Sequence, residues 1–318
     1  MSETGTGPDF AEPPAAAGWT WAAVRRSRVV LEDAEVLVLD KPPGISVIGE
    51  RHDDDLVDLA ARAGERLFPV HRIDKVTSGV VLLAKTPAAH GPLTRRFADR
   101  SATKGYLAVV EGTGLPAHFT VDLPLGVGRK NRVRVAAPRE AIAYDEAGRT
   151  WRVDDADVIP GKKHYPSVTH VHRVWEAGGR TLVVARPVTG RRHQIRVHLA
   201  WTGTAIVGDP LFRPASGDAH GRAYLHAWRL RLTAAGRASD TAAGRASETT
   251  AGRDIDVTAT PDPQFLDPLG ARTGGAPVPT VLAAAEEIWA LAGHPGATLT
   301  EAGRSGAAGR TGEPSTPR

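Results

Sequence analysis

The chain has 318 residues, a formal net charge of +4, no cysteine and one methionine. Without cysteine there is no disulfide framework, no thiolate zinc site, no iron–sulfur cluster and no cysteine nucleophile, so chemistry falls to oxygen and nitrogen side chains. No apolar run reaches the roughly 18 residues of a membrane span and no signal-peptide layout opens the chain, which predicts a soluble, cytoplasmic protein.

In chain order, residues 1–20 mix Gly, Pro, Thr and Ala without periodicity, and 1–28 as a whole reads as a disordered segment. Val36 to Leu39 is a strand closed by Asp40 and a Lys41-Pro42-Pro43-Gly44 turn. Leu56, Leu59, Ala60 and Leu67 recur at helical spacing and predict a helix over 55–67. Val80 to Ala84 has the continuous apolar character of a strand buried on both faces. A helix over 88–99 and strands at Lys104 to Glu111 and Arg132 to Ala136 follow. Residues 139–161 are polar and acidic and read as an inserted loop. Strands return at Val168–Trp175 and Thr181–Arg186, joined by a Gly178-Gly179 turn that suits a hairpin. His193–Trp201 reads as a helix that Gly203 ends, and Ala223–Leu232 as a strand. TAAGRASD, TAAGRASE and a decayed third copy then repeat without any bulky apolar residue, so 234–253 is expected to be a flexible insertion, not a solenoid. A strand at Ile255–Ala259, a helix at Pro279–Ala292 and a low-complexity tail complete an α+β chain. One catalytic-size domain is expected over 29–265, followed by a C-terminal helix and disordered tail over 266–318.

Charge is unevenly spread. Residues 71–139 hold 12 Lys/Arg against 4 Asp/Glu, whereas 32–58 hold 9 acidic against 2 basic side chains. A basic block of this size suits either a polyanion partner or an ordinary solvated surface.

Three segments carry candidate chemistry. In His71-Arg72-Ile73-Asp74-Lys75-Val76-Thr77-Ser78-Gly79 a turn presents one carboxylate beside a rigid strand; alternatively Asp74 caps backbone amides in an Asx-turn. In Thr189-Gly190-Arg191-Arg192-His193-Gln194-Ile195-Arg196-Val197-His198, Gln194 and His198 are spaced to share a helix face, as are Arg192 and Arg196. The three arginines and the free amides before the helix suit an anion, or are solvated charges. In Lys104-Gly105-Tyr106, the tyrosine can stack on a base, accept a proton, or simply pack at a strand end. His193 and His198 are five apart and do not stack on one helix face. His170 and His172 share a strand face without an evident third ligand, so no metal site is expected.

Taken in order, HRIDKVTSG, KGYLAVV, TGRRHQIRVHLA, VGDPLF and LHAWRL closely resemble the RluA family of pseudouridine synthases. The early Asp33 to Gly44 stretch resembles that family's D…KPxG strand and turn, and the likeness runs from about Val29 to Phe265. The resemblance implies a mixed, largely antiparallel sheet bent around a central cleft and flanked by helices and loops. It implies cofactor-independent conversion of a uridine in rRNA or tRNA to pseudouridine, with RNA as partner, no protein partner and a monomeric enzyme. Carried over by motif, Asp74 is the catalytic carboxylate. Tyr106 stacks on the uracil and takes the C5 proton, Arg196 pairs with the aspartate, and Leu225 lines the pocket. His71, Arg72, Thr77, Arg191, His193 and Gln194 are expected to bind substrate, with Arg72 filling the space left by an extruded base or pairing with the flanking phosphates. Ile73, Arg192 and Phe212 depart mildly from the family pattern. Two rivals are an inactive RNA-binding protein on the same scaffold and a carboxylate hydrolase, which would want a second acid.

Overall fold

A computed structural model describes residues 18–49, 55–128, 131–161, 163–212, 222–232, 254–270 and 278–292. The TAAGRAS repeat, residues 1–17 and the tail beyond Ala292 lie outside the described residues. The described part begins with α1 (Trp21–Ser27), β1 (Val29–Glu32), β2 (Val36–Lys41), α2 (Leu56–Arg62), β3 (Phe68–Pro69), β4 (Ser78–Ala84) and α3 (Pro87–Ala98). It continues with β5 (Ala102–Glu111), β6 (His118–Asp122), β7 (Leu125–Val127), β8 (Val133–Val135), β9 (Ala143–Asp145), β10 (Thr150–Arg152) and β11 (His164–Tyr165). It ends with β12 (Val168–Ala177), β13 (Arg180–Pro187), α4 (Gln194–Trp201), β14 (Leu225–Leu232), β15 (Ile255–Thr258) and α5 (Val278–Ala292).

The main sheet runs β1-β2-β4-β14-β5-β13-β12-β6-β10-β9, with β3 added beside β4 and β15 beside β14. Among the described strands, β4 with β14 and β6 with β10 are parallel; the other pairs are antiparallel. A small sheet, β11-β7-β8, stands apart. This is the mixed, largely antiparallel α+β arrangement expected.

Burial follows the strand period. Ala108, Val110, Val183 and Ala185 join Val197 and Leu199 of α4 in one core cluster, while Leu107, Val109, Leu182 and Val184 pack with Val281 and Trp289 of α5 in another. Alternate residues of β5 and β13 thus bury opposite sheet faces. Strand β4 is buried at all seven positions, as its apolar run predicts.

Three segments differ from expectation. Residues 21–27 form a helix instead of a disordered stretch: the Thr20 hydroxyl accepts from the Ala23 amide, Val24 is buried, and the Trp21 indole donates to Glu65 at 2.7 Å. Capping and two buried apolar residues offset the short length, which periodicity over so few positions does not reveal. The 139–161 segment is more than a loop. Its β9–β10 hairpin pairs through β10 with β6 and extends the main sheet, and Ile142, Tyr144, Trp151 and Val153 pack against the core. Finally, α5 belongs to the body of the fold, since Trp289 is buried and its ring packs against Gly105. No helix among the described residues is long and apolar enough to cross a membrane.

One junction positions the site. Strands β4 and β14 meet only at Ser78–His226 and Ala227–Gly79, immediately after the Asp74 loop. A Cβ on Gly79 would lie 2.2 Å from the Ala227 carbonyl oxygen, and Gly79 holds φ +107°, so only glycine fits. Across the same junction Arg222 donates to Ser78 Oγ at 3.0 Å, Ser78 donates to His226 Nδ1 at 2.9 Å, and His226 Nε2 donates to the Ala259 carbonyl at 2.8 Å.

Candidate active site

Asp74 sits in the loop between β3 and β4. The Thr77 amide donates to its main-chain carbonyl at 3.0 Å, closing the turn. The next carbonyl, of Lys75, accepts from the Gly44 amide at 2.8 Å and from the fully buried Lys41 ammonium at 3.3 Å. Lys41 also donates to the carbonyls of Pro42 and Ile45. The Lys41-Pro42-Pro43-Gly44 turn therefore clamps the Asp74 loop from behind, and its buried charge is spread over three carbonyl dipoles. The carboxylate itself takes no backbone amide among the described residues, so the Asx-turn alternative does not describe it. Its partner is Arg196, whose Nη1 lies 2.9 Å from Oδ2.

Arg196 is buried on α4, with its guanidinium directed in two directions. Nε and Nη2 donate to the two oxygens of Asp209 at 2.7 and 2.9 Å, and Nη1 donates to Asp74. Burial alone would lower the Arg196 pKa, but Asp209 and Asp74 outweigh it and raise it. Burial would likewise raise Asp209; Arg196 and the amides of Leu211 and Phe212 hold it below the ordinary carboxylate range. Asp209 is fully enclosed, whereas 23% of the Asp74 side chain is exposed. The first is a buried anchor and the second an accessible carboxylate. Asp209 lies in the VGDPLF segment, where nothing in the sequence marks it as the partner of Arg196.

The accessible side of Asp74 opens into a cleft of about 430 Å³. Asp74, Tyr106, Arg196, His71, Arg72, Thr77, Arg191, His193, Gln194 and Leu225 all line it, so the structure brings together every site residue expected from the sequence. Tyr106 comes from β5, paired with Ala185 on one side and Ala227 on the other. Burial, and then the Asp74 charge, raise its phenol pKa well above the ordinary value, so it is protonated near neutral pH. Leu225, nearly fully buried at the start of β14, closes the apolar wall.

The remaining residues divide by what their polar atoms do. Thr77 Oγ1 and His193 Nδ1 are buried without a hydrogen-bond partner among the described residues, although most such atoms in a folded protein are paired. His193 holds φ +56° at the N-cap of α4, its Nε2 is 3.9 Å from Asp74 Oδ1, and its ring meets Phe212 edge-on. Burial outweighs Asp74 and keeps its pKa below the ordinary histidine value. Arg72 is exposed at the cleft and makes no hydrogen bond or ion pair among the described residues. His71 accepts from the Leu82 amide at 3.0 Å through Nε2 and stacks on Phe97. Burial, then the charge of Lys104, depress it to about 3.

Two expectations change. Gln194 has no free polar atom. Its Oε1 accepts from Thr189 Oγ1 and the Arg191 amide, while Nε2 donates to the Val168 carbonyl and Thr169 Oγ1. It ties the 189–191 loop to β12 and, although it lines the cleft, cannot also bind substrate. Nor do the three arginines form one anion site. The helix starts at Gln194, not His193, so Arg192 precedes it and bonds Asn131. Arg191 lies 4.9 Å over the Tyr165 ring, and Arg196 is committed to carboxylates. Lys104, Phe97 and Arg100 also line the cleft and were not singled out as site residues. For Lys104 the available signal was its position two before Tyr106 on one strand face.

A protein-family model described as RNA pseudouridylate synthase matches residues 35–201, more than half of the chain. The chain belongs to this family. Its members isomerise uridine in RNA to pseudouridine, and this synthase carries Asp74, Tyr106 and Arg196 inside the matched span. It is 35% identical to an uncharacterised RNA pseudouridine synthase of Zymomonas mobilis over 211 residues, 64% of this chain and 87% of that one. It is 34% identical over 209 residues to the dual-specificity RNA pseudouridine synthase RluA of Escherichia coli, 64% of this chain and 86% of that one. Among solved structures it is similar to human RNA pseudouridylate synthase domain containing 4, with a TM-score of 0.58 and 21% identity, covering 78% of this chain and 94% of that one. It is also similar to human RNA pseudouridylate synthase domain containing 1, with a TM-score of 0.55 and 24% identity over 81% and 94% of the two chains. At these identities the two structures speak to the fold.

Proposed function

We propose that Asp74 is the catalytic carboxylate of this synthase, acting on a uridine of rRNA or tRNA extruded into the cleft. What supports the reading is one arrangement: an accessible carboxylate held from behind by a buried arginine, beside a tyrosine on the adjoining wall of a cleft. The isomerisation breaks the N1–C1′ bond, turns the uracil and joins C5 to C1′, so the carboxylate must be ionised and correctly aimed before the base arrives. The Arg196 Nη1 hydrogen bond to Oδ2 fixes its direction. Tyr106 stacks on the uracil; as a neutral phenol it must release its own proton before it can take the one from C5. Leu225 and the apolar wall keep water from the detached base. The unpaired Thr77 hydroxyl and His193 Nδ1 offer hydrogen bonds to uracil or ribose. The enzyme works as a cytoplasmic monomer and needs no cofactor for a reaction without redox change.

Tritium release from RNA labelled at uridine C5 tests this reading. Wild-type protein is expected to release tritium, and Asp74→Asn to fall to background with an unchanged melting temperature. Release by a well-folded Asp74→Asn variant would remove Asp74 from the chemistry. No release by wild type from any cellular RNA would favour the inactive RNA-binding alternative.

A further inference from the structure

The cleft holds a largely buried charged group that neither the catalytic set nor the expected substrate ligands include. Lys104 lies two residues before Tyr106 on β5, so the two side chains share a sheet face, and both line the cleft. Its ammonium lies 3.4 Å from where a Cβ would stand on Gly190, which sets the charge beside the 189–190 loop. Lys104 makes no hydrogen bond or ion pair among the described residues. Its charge acts on His71, which is neutral and already accepts an amide proton. Other lysines of the fold are differently placed: Lys41 is satisfied by carbonyls, and Lys85 pairs with Glu32 at 2.7 Å. Burial also lowers the Lys104 pKa below the ordinary lysine range, a cost that a ligand anion would relieve. Arg100, in a left-handed backbone conformation with φ +65°, adds an exposed cation to the same lining.

In RNA the uracil is neutral and the phosphodiester carries the charge. Two residues along a strand separate Lys104 from Tyr106 by roughly 6.6 Å. A nucleotide whose base stacks on the tyrosine and whose sugar faces Asp74 therefore has its phosphate to direct elsewhere along this wall. We propose that Lys104 is the anchor for a phosphodiester adjoining the uridine that reacts, setting how deeply the nucleotide enters the cleft. This rests on the pseudouridine synthase reading and adds to it a defined phosphate subsite.

The test uses the full chain and two probes: a fluorescent oligouridylate, and its analogue with a neutral methylphosphonate backbone. Binding is measured against salt concentration for wild type, Lys104→Gln and Lys104→Arg. One lost single-strand phosphate contact reduces the slope of log affinity against log salt by about 0.7. Lys104→Gln is expected to show that loss, Lys104→Arg to keep the wild-type slope, and all three to bind the neutral analogue alike. With C5-tritiated cellular RNA as substrate, Lys104→Gln should raise KM more than it lowers kcat. A folded Lys104→Gln with the wild-type slope overturns the proposal. So does a variant that loses kcat at unchanged slope, which would make Lys104 part of the chemistry instead. If Lys104→Gln does not fold, Lys104→Met, neutral and of similar length, takes its place: a lost slope supports the proposal and a wild-type slope overturns it. The binding arm is independent of turnover, so a failure of the pseudouridine synthase reading would appear as absent tritium release with the slope change intact.

Discussion

Arg196 is shared between Asp209, which it meets through Nε at 2.7 Å and Nη2 at 2.9 Å, and Asp74, which it meets through Nη1 at 2.9 Å. The buried acid fixes the guanidinium plane, and the guanidinium then fixes the exposed acid. Asp209 thus acts on the reaction through Arg196 without touching substrate. Asp209→Ala leaves Arg196 with a single carboxylate in a buried site, a loss expected to cost about 3–5 kcal/mol of stability. In the milder Asp209→Asn, misdirection of Asp74 is expected to lower kcat on the order of 100-fold with little change in KM. Tritium release and thermal melting read the two effects. Wild-type kcat in Asp209→Asn would break this chain of positioning.

Arg196→Lys separates charge from direction. Lysine keeps the cation but replaces three directed N–H groups with one flexible ammonium. It can serve one carboxylate well and not both. Its kcat is expected to fall far below wild type while RNA affinity in a binding assay stays within a few-fold. Near-wild-type turnover would mean that charge alone suffices.

Gly79→Ala should damage both fold and catalysis. The added methyl meets the Ala227 carbonyl at 2.2 Å, and φ +107° is strained for any side chain. Strain and overpacking together are expected to cost about 2–5 kcal/mol. Because β4 and β14 meet here, just after the Asp74 loop, activity should fall further than the folded fraction does. Comparing tritium release per folded molecule with the melting curve checks this; a proportional loss of both would confine Gly79 to stability.

Much of this site was readable in the sequence because its residues lie in short contiguous segments. The Asp74 loop, the Tyr106 strand and the Arg196 helix are each ambiguous alone, and their order, through the family resemblance, marks them; the strand and helix periods place them close to where they are found. What could not be read is which partner each charge takes. Three arginines within residues 191–196 look equivalent in the sequence. Burial and a partner thirteen residues on send Arg196 to Asp209, while the later helix start leaves Arg192 outside it. Gln194 reads as a substrate ligand until the 189–191 loop is seen to use its Oε1 and β12 its Nε2. The β9–β10 hairpin reads as a loop in the sequence because its strands are three residues long and gain their stability by adding to the edge of β6.

Stability should fall on acidification through buried neutral histidines. His198 is fully buried on α4, with Nδ1 3.0 Å from the Thr169 hydroxyl and Nε2 3.1 Å from the Leu123 carbonyl. Burial depresses it from 6.5 to about 4, only partly opposed by the Leu123 carbonyl, and His71 is depressed to about 3. Both folded pKa values lie below the unfolded one. The unfolded chain therefore binds more protons as pH drops below 6.5, and the native state loses ground until the folded values are reached. Each group contributes a slope of up to about 1.4 kcal/mol per pH unit in that window. Above pH 6.5 neither contributes a dependence. His198→Gln is expected to melt at a lower temperature at pH 7 but with a shallower decline from pH 6.5 toward 4. Parallel melting curves for variant and wild type across that window would show that His198 is not kept neutral.

Arg72 offers the sharpest separation between binding the RNA and holding the fold. It is two residues before Asp74, lines the cleft, is exposed, and has no partner among the described residues. Its removal therefore leaves no buried group unpaired, and Arg72→Ala should shift stability by less than about 0.5 kcal/mol. A stacked uridine, by contrast, must leave its helix at a cost of a few kcal/mol, and a guanidinium entering the vacated space or bonding the flanking phosphates repays part of it. Loss of that help is felt only where there is a stack to open. Arg72→Ala should thus lose much of its rate on intact structured RNA and far less on the same RNA cleaved into short single-stranded pieces. Equal losses on both substrates would assign Arg72 to general phosphate attraction, and unchanged turnover on intact RNA would remove it from the site altogether.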